Sequence, residues 1–137
     1  MLRQSSALAF AFMASRAFAA TLPTSILHAI ETHLTAAGAT PVVVPAQTCT
    51  SARQSKAVAW SDFQRKYPNG VYVVCDWQVS RNTANVNILY FTFSAGWGMV
   101  ELTSNTVAGF SPSSANAWQV TQWSETVHDY NPPPHNE

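Results

Sequence analysis

The first strongly periodic segment of the chain is TLPTSILHAIETHLTAAGAT, residues 21–40. Its apolar side chains fall on one stripe when projected at about 100° per residue; they are Leu22, Ile26, Leu27, Ile30 and Leu34. Pro23 suits the first turn of a helix, and Gly38 suits the position after its end. The pattern therefore predicts an amphipathic helix, which should lie on a sheet because a one-sided stripe must be buried.

Three later segments have the composition and alternation of β-strands. Residues 71–80 alternate, which predicts that Val71, Val73, Cys75, Trp77 and Val79 share one face. Residues 84–94 are rich in β-branched and aromatic side chains, and residues 97–103 follow them after an Ala-Gly turn signal, so these two segments predict a hairpin. Residues 117–130 alternate as a last strand.

The remaining segments give weaker signals. Residues 41–46 are flanked by prolines and predict at most an edge strand. Ser61 with Gln64 forms a capping box before one or two helical turns at 62–67, while residues 48–60 are ambiguous. The sequence SNTVAGFSPSSAN, residues 104–116, predicts a long loop with a short extended piece at 107–110, and NPPPHNE, residues 131–137, predicts a loose tail.

The order of these elements predicts the fold class. The later strands have no helices between them, and parallel neighbours would need long crossovers, so they should be antiparallel. We therefore expect an α+β domain over residues 20–130, with the N-terminal helix packed on an antiparallel meander of four to five strands. This order is similar in layout to cystatin-like folds, but no Gln-x-Val-x-Gly stands at the hairpin, so the family itself is not predicted.

Residues 1–19 have the features of an export signal. Arg3 precedes the apolar run of residues 7–14, and Ala17-Phe18-Ala19 fits the small-x-small rule before a cleavage site. The mature chain would then begin at Ala20. Arg16 and the absence of acids before Glu31 keep a mitochondrial presequence as the alternative. No later apolar run reaches the ~20 residues of a membrane span.

The charge pattern argues against nucleic acid as a partner. Residues 20–137 hold five basic and seven acidic side chains, a formal charge of −2, and no Lys or Arg occurs in the 56 residues after Arg81. Nucleic-acid binding requires clustered Lys and Arg on one face.

Cys49 and Cys75 are the two cysteines of the chain. In an exported protein they most simply form one disulfide, which would close a loop of about 25 residues and stabilise the fold by roughly 3 kcal/mol.

Candidates for catalysis are few and dispersed. His128 at the end of the last strand, with Asp76 or Glu101 as a carboxylate partner, could act as a general base, and His33 is a further candidate. His28 and His33 stand five residues apart, about 140° around a helix, so they cannot chelate one metal ion together. The sequence shows no nucleophile elbow, P-loop or Asp-rich calcium loop, so no metal or cofactor is predicted.

The five tryptophans are more numerous than a core of this size needs. Trp97 lies between two glycines beside a turn, and we expect it, with Phe110 and Trp118, to contact a partner because exposed aromatics are typical of recognition surfaces. Most of the other large aromatics should build the core.

Three functions agree with these features. The first is an exported, disulfide-containing binding module for another protein, such as an inhibitor or immunity-type protein. The second is a small hydrolase or isomerase with a His/carboxylate site between helix and sheet. The third is a subunit of an envelope or surface assembly that uses the edge strand near residues 41–45.

Overall fold

The structure is a computed structural model that describes residues 21–55, 60–94, 96 and 98–128. Within these residues the chain forms three helices and five strands, and the predicted α+β class is confirmed. In chain order they are α1 (Thr24–Ala36), β1 (Val43–Pro45), α2 (Cys49–Ser55), α3 (Trp60–Lys66), β2 (Val71–Val79), β3 (Ala84–Ser94), β4 (Met99–Ser114) and β5 (Ala117–Val127). The predicted signal segment and the predicted tail lie outside the described residues.

The five strands form one sheet in the order β1-β2-β3-β4-β5. The pairs β2–β3, β3–β4 and β4–β5 are antiparallel, as the later part of the sequence predicts. The prediction of a purely antiparallel sheet is wrong, because β1 runs parallel to β2, with Val43 opposite Tyr72. A parallel pair needs a long connection on one side of the sheet, and α2 and α3 provide it.

Helix α1 has the ends that the sequence predicts. Pro23 occupies the N-cap position, and Gly38, just beyond the last turn, has a φ of +96°. The buried side chains of α1 are Ile26, Ala29, Ile30 and Leu34. They cluster with buried side chains of β2, β3 and β4 in what we call the α1-side core.

A second core lies on the opposite face of the sheet. It contains Ala52 of α2 and Phe63 of α3 together with side chains of β2, β3 and β4, and we call it the α2–α3-side core. Successive strand residues point to opposite faces. Strand β3 therefore contributes Ile88 to the first core and Leu89 to the second.

A β-bulge at Asp76 separates Cys75 from Trp77. The β2–β3 register shifts between Cys75 and Gln78, and Asp76 has a φ of +51°. Since the bulge inserts one extra residue, Cys75 lies in the α2–α3-side core and Trp77 lies in the α1-side core. The prediction that these two side chains share a face is therefore wrong.

Asp76 is tied to the segment that begins α2. Its Oδ1 accepts a hydrogen bond from the Cys49 N–H at 3.1 Å, and its own N–H donates to the Gln47 carbonyl at 3.1 Å. The predicted disulfide between Cys49 and Cys75 is present, with Cα atoms 5.1 Å apart. The start of α2 is thus fixed to β2 by one covalent bond and two hydrogen bonds.

Two short helices differ from the sequence-based expectation. Helix α2 falls in the ambiguous segment, where the Thr48 hydroxyl accepts a hydrogen bond from the Ser51 N–H at 3.0 Å as an N-cap. Helix α3 already includes Trp60, so Ser61 lies inside the helix and the predicted capping box is wrong.

Strand β4 is much longer than predicted. It continues to Ser114, so the loop predicted at 104–116 is mostly strand. Residues 104–110 pair with β3 on one side and with β5 on the other. Pairing on both edges outweighs the poor strand propensity of Ser, Asn and Gly. Pro112 lies beyond the last pair with β3, where a missing N–H costs no bond on that side.

Candidate functional site

The carboxylate candidates for catalysis do not meet. Asp76 holds the start of α2, as described above, whereas Glu101 lies opposite Thr92 on the hairpin of β3 and β4. Asp76 follows Cys75, which pairs with Asn87 of β3. Asn87 lies five residues along β3 from Thr92. At ~3.4 Å per residue, the two carboxylates are roughly 17 Å apart along the sheet.

The histidine candidates have other neighbours. The His33 ring stacks on Trp123, with 4.1 Å between the ring centroids. His128 donates its backbone N–H to the Thr103 carbonyl, and its Nε2 lies 3.2 Å from Asn105 Oδ1. Among the described residues, neither ring forms an ion pair with a carboxylate. The structure thus brings none of the four predicted catalytic side chains together.

Two kinds of feature are absent from the part of the chain that the structure describes. There, no three His, Cys, Asp or Glu side chains are placed to hold a metal ion. No helix in those residues is long and apolar enough to cross a membrane.

The predicted aromatic contact residues are placed differently from one another. Phe110 is 2% exposed and belongs to the α1-side core, so it is not available to a partner. Trp118 is half-buried and packs against the same core from β5. Trp97 lies outside the described residues.

Strand β5 forms one edge of the sheet and pairs with β4. Trp118, Val120 and Trp123 pack their side chains toward the α1-side core. Most of the other β5 side chains are exposed, and Val127 at its end is 63% exposed. The strand is eleven residues long, contains no proline and carries Glu125 as its one charged side chain.

The hydrogen-bond pattern identifies the backbone groups that face outward. His128 donates its N–H to Thr103 of β4, and bonded residues alternate along an antiparallel pair. The N–H groups of residues 122, 124 and 126 therefore point to β4, whereas those of Trp123, Glu125 and Val127 point to the open edge. No strand among the described residues pairs with that edge.

The opposite edge of the sheet is protected. Strand β1 is three residues long, ends in Pro45 and is preceded by Pro41. Short length and flanking prolines prevent a further strand from adding to an edge. The sequence predicts that residues 41–46 form at most an edge strand. It does not show that β5 is the other edge, because the alternation within one strand does not reveal the order of the strands.

The described residues near β5 give this side of the sheet a negative charge. Residues 82–128 contain Glu101 and Glu125 and no Lys or Arg. The Tyr72 ring stacks on the Tyr90 ring, with 4.1 Å between the ring centroids. The same negative charge affects the Tyr72 phenol. Burial raises the pKa of the Tyr72 phenol, and Tyr90 and Glu125 raise it further. The sequence pattern does not predict this tyrosine pair, although Tyr72 and Tyr90 lie in predicted strands.

The comparisons with known proteins give little information about this chain. No protein-family model matches the chain, and no curated protein matches it. The solution NMR structure of a de novo designed β-sheet protein is similar to it, with 24% identity over 64% of this chain and 94% of the design, and a TM-score of 0.33. A similarity at that TM-score carries no information about what this chain does.

Proposed function

We propose that the protein is an exported, disulfide-containing binding module that captures an extended segment of another protein along β5. The difference between the two sheet edges carries this proposal. Natural sheets protect long edges with proline, lysine or bulges. Here β1 is protected, whereas β5 has no proline or lysine, and its residues 122–127, which follow a bulge at Thr121, are open and uncharged except for Glu125.

Strand addition explains what such an edge would do. The outward N–H and C=O groups of Trp123, Glu125 and Val127 would bond to the backbone of the partner, which supplies affinity without sequence preference. Selectivity would come from alternate side chains of the partner beside Trp118 and Trp123. Because residues 82–128 contain two acids and no Lys or Arg, a partner segment with one or two basic residues fits best.

Capture of a segment in this way would block its other interactions, which is the action of an inhibitor or immunity-type protein. Export rests on the signal-like residues 1–19 and agrees with the disulfide, since disulfides persist in oxidising compartments. Mass spectrometry of the protein purified from its native source would test this part. A mature chain that begins at Ala20 is expected, and retention of residues 1–19 would contradict it.

The edge itself is tested by a proline that spares the β4–β5 ladder. In Glu125→Pro the lost N–H points outward, so the fold is kept and strand addition is blocked. Val42→Lys, on the protected edge, is the matched control because Val42 is 41% exposed. Each would be used as bait in extracts of the protein's own surroundings. We expect the wild type and Val42→Lys to retain a protein that Glu125→Pro loses.

Hydrogen exchange on the complex completes the test. Protection of the amides of residues 123, 125 and 127 on binding is expected, because those groups gain partners. If all three baits retain the same proteins, or if binding protects residues elsewhere, edge capture is wrong. Self-association that Glu125→Pro abolishes would instead make β5 an interface between copies of this chain.

A further inference from the structure

A pocket of about 370 Å³ opens into the α2–α3-side core, between α3 and the strands β1 and β2. Several of the residues that line it are buried members of that core, namely Ala52, Phe63, Val71, Val73 and Phe91. The pocket therefore reaches into the interior of the protein. It lies on the β1 side of the sheet, so the proposed partner surface along β5 does not use it.

The volume of this pocket is large for the interior of a protein. Interiors are close-packed and contain few voids larger than a water molecule. An engineered apolar cavity of about 150 Å³ stays dry and binds benzene. The pocket has more than twice that volume, so it has room for a ligand of two fused rings.

The walls of the pocket are rich in aromatic side chains. Phe63, Tyr67 and Phe91 all line it. Phe63 and Tyr67 pack edge to face, with 5.3 Å between the ring centroids. Aromatic pairs gain stability beyond the area that they bury, so a flat aromatic ligand fits these walls better than an aliphatic ligand of the same volume.

The charged side chains of the pocket lie at its mouth, on α3. Asp62 and Lys66 are both exposed, and Asp62 forms an ion pair with Arg65. The Lys66 ammonium lies 5.5 Å from the centroid of the Tyr67 ring. None of the buried side chains that line the pocket carries a charge. An uncharged ligand is therefore favoured, because a charged group inside would lose its hydration.

We propose that this pocket binds a small, uncharged aromatic molecule of two fused rings, such as a simple indole. The rings of the ligand would pack against Phe63 and Phe91, and against Val71 and Val73 of β2. This binding does not depend on the capture of a partner along β5.

Titration of the purified protein with indole, followed in ¹H–¹³C methyl spectra, tests the proposal. We expect saturable shifts of the methyl groups of Val71 and Val73, and none of those of Ile88, which belongs to the other core. Indole-3-carboxylate has the same rings and a negative charge, so it should bind roughly tenfold or more weakly. Either the absence of saturable shifts with indole or an equal affinity for the carboxylate would overturn the proposal.

A matched pair of alanines tests the empty space itself. Ala52→Leu enlarges a side chain at the pocket, whereas Ala29→Leu enlarges one in the α1-side core. Added methyl groups destabilise a core that is already well packed. We expect Ala52→Leu to keep the wild-type midpoint of urea unfolding and to bind indole roughly tenfold or more weakly. Ala29→Leu should lower the midpoint and keep the affinity for indole. Equally lowered midpoints would mean that the space at Ala52 is already filled, and would overturn the proposal.

A second pair of variants keeps the test decisive if Ala52→Leu does not fold. Val44→Phe fills the pocket from β1. Its control is Val43→Phe, because the preceding residue of the strand packs against the core on the opposite face. Loss of indole binding in Val44→Phe alone supports the site. Unchanged binding in Val44→Phe would place indole elsewhere on the protein and overturn it.

Discussion

Two glycines with positive φ have very different surroundings. Gly38, after α1, has a φ of +96° and open space where a Cβ would stand. Gly70, before β2, has a φ of +90°, and a Cβ there would lie 2.7 Å from the Phe91 carbonyl oxygen and 2.8 Å from Tyr90 Cε1. The Tyr90 hydroxyl also donates to the Asn69 carbonyl at 2.8 Å, which holds the ring over this turn.

The pair separates backbone strain from steric clash. Gly38→Ala should cost about 1–2 kcal/mol of unfolding free energy, from positive φ alone. Gly70→Ala should cost about 3 kcal/mol or more, because overpacking against backbone adds to the same strain. Urea unfolding of both variants measures the difference. Equal losses of unfolding free energy would show that the turn at Gly70 shifts to accommodate the added methyl group.

Asp76 combines two roles in one side chain. It adopts a left-handed φ that Asp and Asn tolerate, and its carboxylate accepts the Cys49 N–H. Asp76→Asn should be near neutral, because it keeps both roles. Asp76→Ala should lose about 1–3 kcal/mol in urea unfolding. Gln78→Ala, at an exposed neighbouring position, is the control. If Asp76→Ala is as stable as Gln78→Ala, Asp76 does not have this structural role.

Tyr72 gives the molecule an alkaline pH dependence. Its folded pKa is raised above the ordinary 10.0, first by burial and then by Tyr90 and Glu125. The folded state therefore holds the phenol proton more tightly, so this contribution to stability is complete below pH 10 and is lost as the pH rises through the folded pKa. Urea unfolding across that range should show a shallower decline for Tyr72→Phe than for wild type. Equal slopes for wild type and Tyr72→Phe would be the contrary result.

At the scale of elements, α2 depends on its attachments more than on its own sequence. Seven residues are too few for a stable isolated helix. The Thr48 cap, the Asp76 hydrogen bond and the disulfide hold it against β2. It is therefore the element whose order should depend most on the cysteines.

Replacement of both cysteines by alanine tests that dependence. We expect a loss of about 3 kcal/mol in urea unfolding, from the loop of about 25 residues that the disulfide closes. Hydrogen exchange should show the amides of α2 losing protection before those of α1. Equal protection in the two helices after the replacement would mean that packing of Ala52, which is 2% exposed, is enough to order α2.

The elements that the sequence predicts well are those with strong local patterns. The strand predicted at 84–94 matches β3, and α1 has the predicted stripe and ends. The second half of β4 was missed, because its Ser, Asn and Gly positions are extended only through pairing with both neighbours. The shared face of Cys75 and Trp77 was wrong, because a single bulge residue inverts every later side chain of β2. The alternation of β5 likewise predicts a strand. Its place at the open edge depends on long-range pairing, which the local sequence does not show.

Across the whole molecule, β3 lies between the two cores and contributes side chains to both. It is the central strand of the sheet, with Val86 and Ile88 in the α1-side core and Leu89 and Phe91 in the α2–α3-side core. Because both cores pack on the same strands, loss of either core would disrupt the strands on which the other core packs. The chain should therefore unfold as one cooperative unit.

Ile88 and Leu89 are adjacent, 1% and 2% exposed, and face opposite cores, so they test this cooperativity directly. Ile88→Ala and Leu89→Ala should each lower the unfolding free energy by about 2–5 kcal/mol. In calorimetry, both variants should show one transition with equal calorimetric and van't Hoff enthalpies. A second, earlier transition in Leu89→Ala alone would show that α2 and α3 unfold by themselves while α1 remains packed on the sheet. The sheet would then support two units of unequal stability, with the disulfide joining them.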